Sequence, residues 1–262
     1  MQKPLILITN DDGIRAKGLH ALIEIAKPMG RVLVVAPEEG HSGESHAITT
    51  KIPLRLRKLQ EPDSDGSDEV TMYACNGTPV DCVKLGMTHL LGSLPDLVLS
   101  GVNHGSNSSI SVIYSGTMAA AQEAALNNGT PAIGLSLTDY SPDADFSPVQ
   151  AIGSELIGKA LKFGLSNEIC LNVNFPALPL SEIKGVKFCR QANGTWIEGY
   201  EQRTDPYGDK YFWLSGRYVN NEPDATDTDE WALSNGYVSV VPVQPDMTCY
   251  KELERLKQEW KV

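Results

Sequence analysis

The sequence predicts an α/β protein: a doubly wound, mostly parallel sheet with helices on both faces, followed by a C-terminal β-hairpin and helix extension. Three observations carry this. Several short apolar runs do not alternate with polar residues, which marks strands buried on both faces. Amphipathic helical patterns separate those runs, as a parallel sheet requires of its crossovers. Composition then shifts after Pro176: Trp196, Trp213, Trp231 and Trp260 all lie beyond it, whereas all five histidines lie at or before His104. The chain is accordingly divided into an α/β core over 1–176, which carries the site, and an aromatic-rich extension over 177–262.

In order, Leu5-Ile-Leu-Ile reads as a buried strand and leads through Asn10-Asp-Asp-Gly into a helix from about Gly18 to Pro28. Arg31-Val-Leu-Val-Val-Ala36 is a second strand, stopped by Pro37. Two further strands are expected near Ile52 to Arg57 and Val70 to Ala74, with Asp63-Ser-Asp-Gly-Ser-Asp68 as an exposed loop between them. Pro79 opens a helix reaching about Leu91, since proline suits the first helical position. Asp96-Leu-Val-Leu-Ser100 is a strand, a Gly/Ser/Asn loop follows, and a helix runs from Thr117 to Asn127. Pro131-Ala-Ile-Gly-Leu-Ser136, a helix near Val149 to Phe163 and a strand near Cys170 to Val173 extend the unit. Beyond it, Thr195-Trp-Ile-Glu-Gly-Tyr and Lys210-Tyr-Phe-Trp-Leu alternate around a turn at Asp205-Pro-Tyr-Gly, the pattern of an antiparallel hairpin. Its aromatics suit a packing or oligomer surface better than a substrate site. Tyr250 to Trp260 is a short amphipathic helix that docks on something, such as a second subunit.

The 262 residues carry 22 Lys+Arg against 33 Asp+Glu, a net charge of −11, and 41% are hydrophobic. That content excludes disorder as the main state. The acidic balance argues against duplex nucleic acid, whose binding rests on neutralised phosphates. An anionic substrate would need a local positive charge such as a metal ion. Nothing approaches the roughly 18 continuous apolar residues of a membrane span. Met1-Gln-Lys-Pro has no signal-peptide character, and Cys75, Cys82, Cys170, Cys189 and Cys249 form no CxxC pair, so the chain reads as cytoplasmic with reduced thiols.

Ligands of an open parallel sheet gather at the carboxyl ends of its strands. The residues there are Asn10-Asp11-Asp12-Gly13, then His41, Ser42 and Ser45, then Ser100-Gly-Val-Asn103-His-Gly-Ser-Asn107. Asp11 and Asp12 have two readings: one caps the next helix while the other is solvated, or both hold a hard cation with oxygen ligands. Ser42 and Asn103, on the same rim, add a hydroxyl and an amide oxygen to the second reading. No His or Cys spacing fits a tetrahedral zinc site. Ser115-Gly116-Thr117 precedes a helix and is either an ordinary N-cap or an anion-binding turn. Asn76-Gly-Thr-Pro79, ahead of another helix, is either a second anion-binding turn or, the favoured reading, a structural turn. His46 and His104 are each either a proton donor or a satisfied loop histidine.

Together these stretches resemble the SurE (survival protein E) family of metal-dependent nucleotidases. The resemblance lies in Ile8-Thr-Asn-Asp-Asp-Gly13, Val34-Val-Ala-Pro37 with Ser42, Asn76-Gly-Thr-Pro-Val-Asp-Cys-Val-Lys84, Leu99-Ser-Gly-Val-Asn103 with Gly105 and Asn107, and Tyr114-Ser-Gly-Thr117. Arg203-Thr-Asp-Pro, Asp227-Thr-Asp229 and Gly236-Tyr-Val-Ser-Val-Val-Pro242 continue it over nearly the whole chain. It implies a Rossmann-like core and hydrolysis of nucleoside 5′- and 3′-monophosphates. It also implies one divalent cation, Mg²⁺ or Mn²⁺, on Asp11, Asp12, Ser42 and Asn103. A homodimer or homotetramer built through the C-terminal extension is implied as well. Where the family has Gly and Asp after Asn107, this sequence has Ser109 and Ser111.

The expected chemistry is attack of water on phosphorus, with Asp11 and Asn10 as the catalytic side chains and Asn103, Ser115, Gly116 and Thr117 binding phosphate. Covalent attack by Asp11 is the mechanistic rival. A non-catalytic nucleotide sensor on the same fold and an assembly role for the aromatic third are the rivals from other classes.

Overall fold

The computed structural model describes residues 3–62, 69–126 and 129–260. The expected loop Asp63–Asp68 and the expected helix end at Asn127 lie outside the described residues. Nine strands form one sheet in the order β3-β4-β2-β1-β5-β6-β7-β11-β8. They are β1 (Leu5–Thr9), β2 (Arg31–Pro37), β3 (Leu56–Gln60), β4 (Val70–Cys75), β5 (Leu97–His104), β6 (Ala132–Leu137), β7 (Cys170–Phe175), β8 (Val186–Phe188) and β11 (Val238–Val243). The six strands from β4 to β7 run parallel, while β3 and β11 pair antiparallel to their inner neighbours.

The unbroken apolar runs have a simple cause. In β1, Ile6 and Ile8 face one helical layer and Leu7 faces the other, because successive side chains of a strand point to opposite faces. Ile6 and Ile8 share a core with Val32, Val34, Leu97, Leu99, Ile133 and Leu135 under α1 (Lys17–Ala26) and α4 (Ser154–Phe163), through Leu19, Leu22, Leu156 and Ile157. Leu7, Leu33, Val35 and Val98 pack on the opposite side under α2 (Pro79–Leu85) and α3 (Gly116–Leu126), through Cys82, Val83, Met118, Ala120 and Ala121. A polar residue at either parity would be buried unpaired, so both parities are apolar.

The chain winds outward through β1, β2 and β4, then returns to β5 on the other side of β1 and winds on through β6 and β7. The reversal lies between β1 and β5, and their carboxyl ends carry Asn10–Gly13 and Asn103. This is where an open α/β sheet leaves a crevice for ligands.

Several expected boundaries differ. The strand expected near Ile52 to Arg57 begins at Leu56. Asn76 takes the backbone before it, with its Oδ1 accepting from Arg55 N at 2.7 Å and its Nδ2 donating to Pro53 O at 3.3 Å. Those residues are thus held by a side chain in place of a strand ladder. The helices expected over Pro79–Leu91 and Val149–Phe163 each contain a π turn, at Gly86–Leu90 and Val149–Gly153. Two strands from beyond Pro176, β8 and β11, complete the main sheet. Outside it, the chain beyond Pro176 contributes the hairpin of β9 (Gly194–Thr204) and β10 (Lys210–Asn220), the short α5 (Asp229–Ser234) and the terminal α6 (Tyr250–Trp260). All five cysteines are free thiols. Among the described residues no helix is long and apolar enough to cross a membrane.

Candidate active site

The loop after β1 is a closed turn. Asn10 Nδ2 donates to Gly13 O at 2.9 Å, and Gly13 adopts φ +96°, a left-handed conformation that glycine enters without steric penalty. Backbone bonds then dock the loop after β2 on it: Ile14 N donates to Pro37 O at 2.7 Å and His41 N to Asp11 O at 2.8 Å. The second of these bonds brings Ser42 beside the carboxylates. On the other flank, β5 carries a bulge, its pairing with β6 passing from Ser100↔Gly134 to Asn103↔Ser136. A bulge of this kind re-aims the residue that follows it. Here that residue is Asn103.

A cleft of about 610 Å³ results, with Asp11, Ser42, Asn103, His104 and Ser115 on its sheet side. Asp11 is 3% exposed. Its Oδ1 accepts from Thr117 Oγ1 at 2.5 Å, and Gly116 lies against it so closely that a Cβ there would sit 2.9 Å from Asp11 Cβ. Asp12 Oδ2 accepts from His104 N at 3.2 Å, which ties the second carboxylate to β5. Asn103 donates its Nδ2 to Gly105 O at 2.9 Å, leaving its Oδ1 as acceptor. Burial raises the Asp11 carboxyl above its ordinary value, and the neighbouring Asp12 adds to this while Thr117 opposes it. Burial likewise raises Asp12, opposed by the His104 backbone N–H.

The donors suit a hard divalent cation. Burial raises both carboxyls, with Asp12 adding to the rise at Asp11, and a bound cation reverses that. Asn10 Oδ1 is buried without a hydrogen-bond partner beside them. The candidate ligands Asp11, Asp12, Ser42 and Asn103 offer only oxygen, the preference of Mg²⁺ and Mn²⁺.

The Ser115-Gly116-Thr117 turn divides its work. Ser115 Oγ accepts from Met118 N at 3.0 Å, which is an N-cap, and Ser115 also lines the cleft. Thr117 and Gly116 stand behind Asp11, the first holding its carboxylate and the second making room for it. The Thr117 hydroxyl is thus engaged by the carboxylate. His46 is outside the cleft and bonds Glu123 of α3 at 3.0 Å, whereas His104 lines the cleft and packs edge-on against Phe146. Thr78 and Asp81 form a capping box on α2, so the Asn76–Pro79 stretch is a structural turn.

Sequence reasoning missed the opposite wall. Trp196 and Glu198 of β9, Leu214, Ser215 and Gly216 of β10, and Tyr140 line the same cleft. It also missed the tether that holds the loop after β5. Asn107 N donates to Asn174 Oδ1 at 2.8 Å, Asn107 Nδ2 to Ser136 Oγ at 2.9 Å, and Asn172 Nδ2 to Asn107 O at 2.8 Å. Asn172 and Asn174, buried one residue apart in an apolar strand, are the signal for it.

Residues 6–198 match the family model described as survival protein SurE. The chain belongs to the SurE family. It is 52% identical to the 5′-nucleotidase SurE of Cytophaga hutchinsonii over the whole of this chain and 98% of that one. It is 50% identical to the 5′-nucleotidase SurE of Flavobacterium johnsoniae, again over 100% of this chain and 98% of that one. Among solved structures, the SurE protein from Aquifex aeolicus superposes with a TM-score of 0.81 at 37% identity, over 97% of this chain and 99% of that one. Ser109 has φ +51°, the left-handed region that glycine favours. Ser111 Oγ accepts from Trp196 Nε1 at 3.3 Å.

Proposed function

We propose that this chain is a metal-dependent phosphomonoesterase that hydrolyses nucleoside 5′-monophosphates to nucleoside and phosphate, with 3′-monophosphates as further substrates. The observation that carries it is the meeting of Asp11, Ser42 and Asn103 on one cleft, with Asp12 tied in through His104. The relatives' shared name, 5′-nucleotidase, points the same way.

Asp11, Asp12, Ser42 and Asn103 would hold one cation, Mg²⁺ or Mn²⁺. When bound, that ion supplies neutralising charge for a phosphate dianion and Lewis-acid activation of the attacking water. Asp11 is fixed by Thr117 and orients the water through its second oxygen. Asn10, locked to Gly13 by its amide N–H, keeps its Oδ1 beside the reacting groups. Asn103 has its N–H engaged by Gly105 and contributes its oxygen. Ser115 keeps its own O–H proton to donate to a phosphate oxygen, because it caps α3 as an acceptor. These groups are set before substrate arrives, and phosphoryl transfer rests mainly on such positioning.

Exposed aromatics support an assembly role for the extension. Tyr200, Phe212, Trp213 and Leu214 are 56–70% exposed on the hairpin, and α6 buries no residue. A homodimer or homotetramer covering these faces is the reading they favour. A core over 1–176 with an assembling extension over 177–262, working in the reducing cytoplasm, fits five free thiols.

The test is phosphate release from several nucleoside monophosphates after EDTA treatment and again after added Mg²⁺ or Mn²⁺. Release restored by metal, and abolished in a folded Asp12→Ala variant, is expected. Metal-independent release, or full activity in that variant, refutes the metal site. Tight nucleotide binding without any release would make the protein a sensor.

A further inference from the structure

A second cavity of about 460 Å³ adjoins the carboxylate cleft, and the two share Ser106, Ser111, Tyr140 and Trp196 as common walls. On its own side it has Ser108, Tyr218 and Glu230. Glu230 stands in the first turn of α5, and its Oε1 accepts from the Ser108 hydroxyl. Its backbone is fixed, with Glu230 N donating to Asp229 Oδ1 at 2.9 Å. Asp229 in turn is buried and accepts from Ser109 N at 2.8 Å and Ala192 N at 2.9 Å. No cationic side chain pairs with Glu230 among the described residues.

Trp196 is held from two sides. Its indole N–H donates to Ser111, and Tyr218 packs edge-on against it with ring centroids 6.0 Å apart. It stays 39% exposed and lines both cavities. The second cavity therefore joins a fixed aromatic wall to an acceptor without a counter-charge, and it shares that wall with the cleft that holds Asp11.

We propose that this second cavity receives the base of the nucleotide and that Glu230 selects guanine. The inference rests on the phosphatase reading for the phosphate end. A dianionic phosphate is repelled by Glu230, so the ligand's orientation follows: phosphate at Asp11, base at Glu230. A carboxylate in such a place takes N–H donors, and guanine presents two adjacent ones, N1–H and the 2-amino group. Hypoxanthine presents only N1–H. Uracil flanks its single ring N–H with two carbonyl oxygens that a carboxylate repels. Trp196 adds a stacking surface that every base can use. Selection thus falls to Glu230, a half-buried acceptor, because a ligand that offers it one N–H in place of two forgoes a charge-assisted hydrogen bond.

The experiment compares kcat/KM for guanosine and inosine 5′-monophosphate in the full chain with added Mn²⁺, for the wild type and for Glu230→Gln. The wild type should favour the guanine nucleotide about tenfold, mainly through KM. In the variant that ratio should fall to within about twofold of one, since the amide offers one acceptor and sets a donor against the other N–H. Glu230 adjoins Asp229, so a thermal melt accompanies the variant. A measurement on the wild type alone stands beside it: guanosine should bind more tightly than inosine by a similar factor in equilibrium titration. Equal binding of the two nucleosides, or an unchanged ratio in folded Glu230→Gln, overturns the proposal. Failure of every nucleotide to release phosphate would overturn the phosphatase reading instead, and the nucleoside titration would still decide the base site.

Discussion

Glu123 offers a quantitative test of how the loop that delivers Ser42 is anchored. The side chain is buried on α3, where its Oε2 meets His46 Nε2 at 3.0 Å and its Oε1 meets Lys84 Nζ at 2.5 Å. His46 belongs to the stretch after Ser42, and Lys84 to α2. Burial alone would raise this carboxyl, but the hydrogen bonds from His46 and Lys84 and the Lys84 charge outweigh it and hold the carboxyl at about 2, against an ordinary 4.5. That difference corresponds to about 3 kcal/mol at most. Lys84 and His46 are 46% and 36% exposed, so solvent screening reduces the figure to about 1–2 kcal/mol. Glu123→Gln keeps the shape and removes the charge. It should lower Tm near neutral pH by about 2–6 °C for a chain of this size. The sign with pH follows from the depressed folded-state value. The stabilisation is fully present above the unfolded value near 4.5 and is lost as pH falls from there through about 2. Thermal melts of both proteins at about pH 7, 5 and 3 should therefore converge toward the acid end. Equal Tm at neutral pH, or a gap that does not change with pH, would refute the anchoring role.

Three other changes test separate parts of the site. Gly116→Ala puts a Cβ 2.9 Å from Asp11 Cβ; overpacking of about 1–3 kcal/mol should appear in the melt, and displacement of Asp11 should weaken Mn²⁺ binding about 10–100-fold by calorimetry. Unaltered Mn²⁺ affinity would show that Gly116 is not what seats the carboxylate. Ser109→Gly relieves a left-handed φ by about 1 kcal/mol but loses the 2.8 Å bond from Ser109 Oγ to Ala192 O, worth about the same, so Tm should move by no more than about 3 °C either way. Asp229→Ala strips acceptors from three backbone N–H groups, those of Ser109, Ala192 and Glu230, and should destabilise by about 2–4 kcal/mol in urea unfolding.

The inner strands were legible because their cause is local. A strand covered on both faces needs apolar residues at both parities, and Leu5–Thr9 or Arg31–Pro37 shows this whatever its neighbours are. The edges follow other rules. Half of β3 was misplaced because a side chain, Asn76, substitutes for a ladder over Pro53 and Arg55. Three residues of β8, with Val186 and Phe188 exposed, form no period at all. The six residues of α5 are too few for a helical period to register. The run Val238-Ser-Val-Val was visible in the sequence, but its place depends on pairing antiparallel to β7, more than sixty positions earlier. Nothing local encodes that distance.

The candidate site divides along the same line. Asp11, Ser42 and Asn103 could be placed on one rim because each lies at the carboxyl end of a strand or in the loop that follows it, and strand ends share an edge by topology. The hairpin's share in the cleft could not be placed, because an alternating strand looks the same whichever face it turns inward. The long-range bond from Trp196 to Ser111, across 85 positions, and the shared cleft lining show that the face bearing Trp196 and Glu198 looks toward Asp11. The two halves therefore answer to different constraints. Replacing a donor on the sheet rim should act on every phosphate ester alike. Replacing a residue on the hairpin side or on α5 should act only on esters whose leaving group reaches it, so rim and wall variants can be told apart by substrate rather than by the size of the loss.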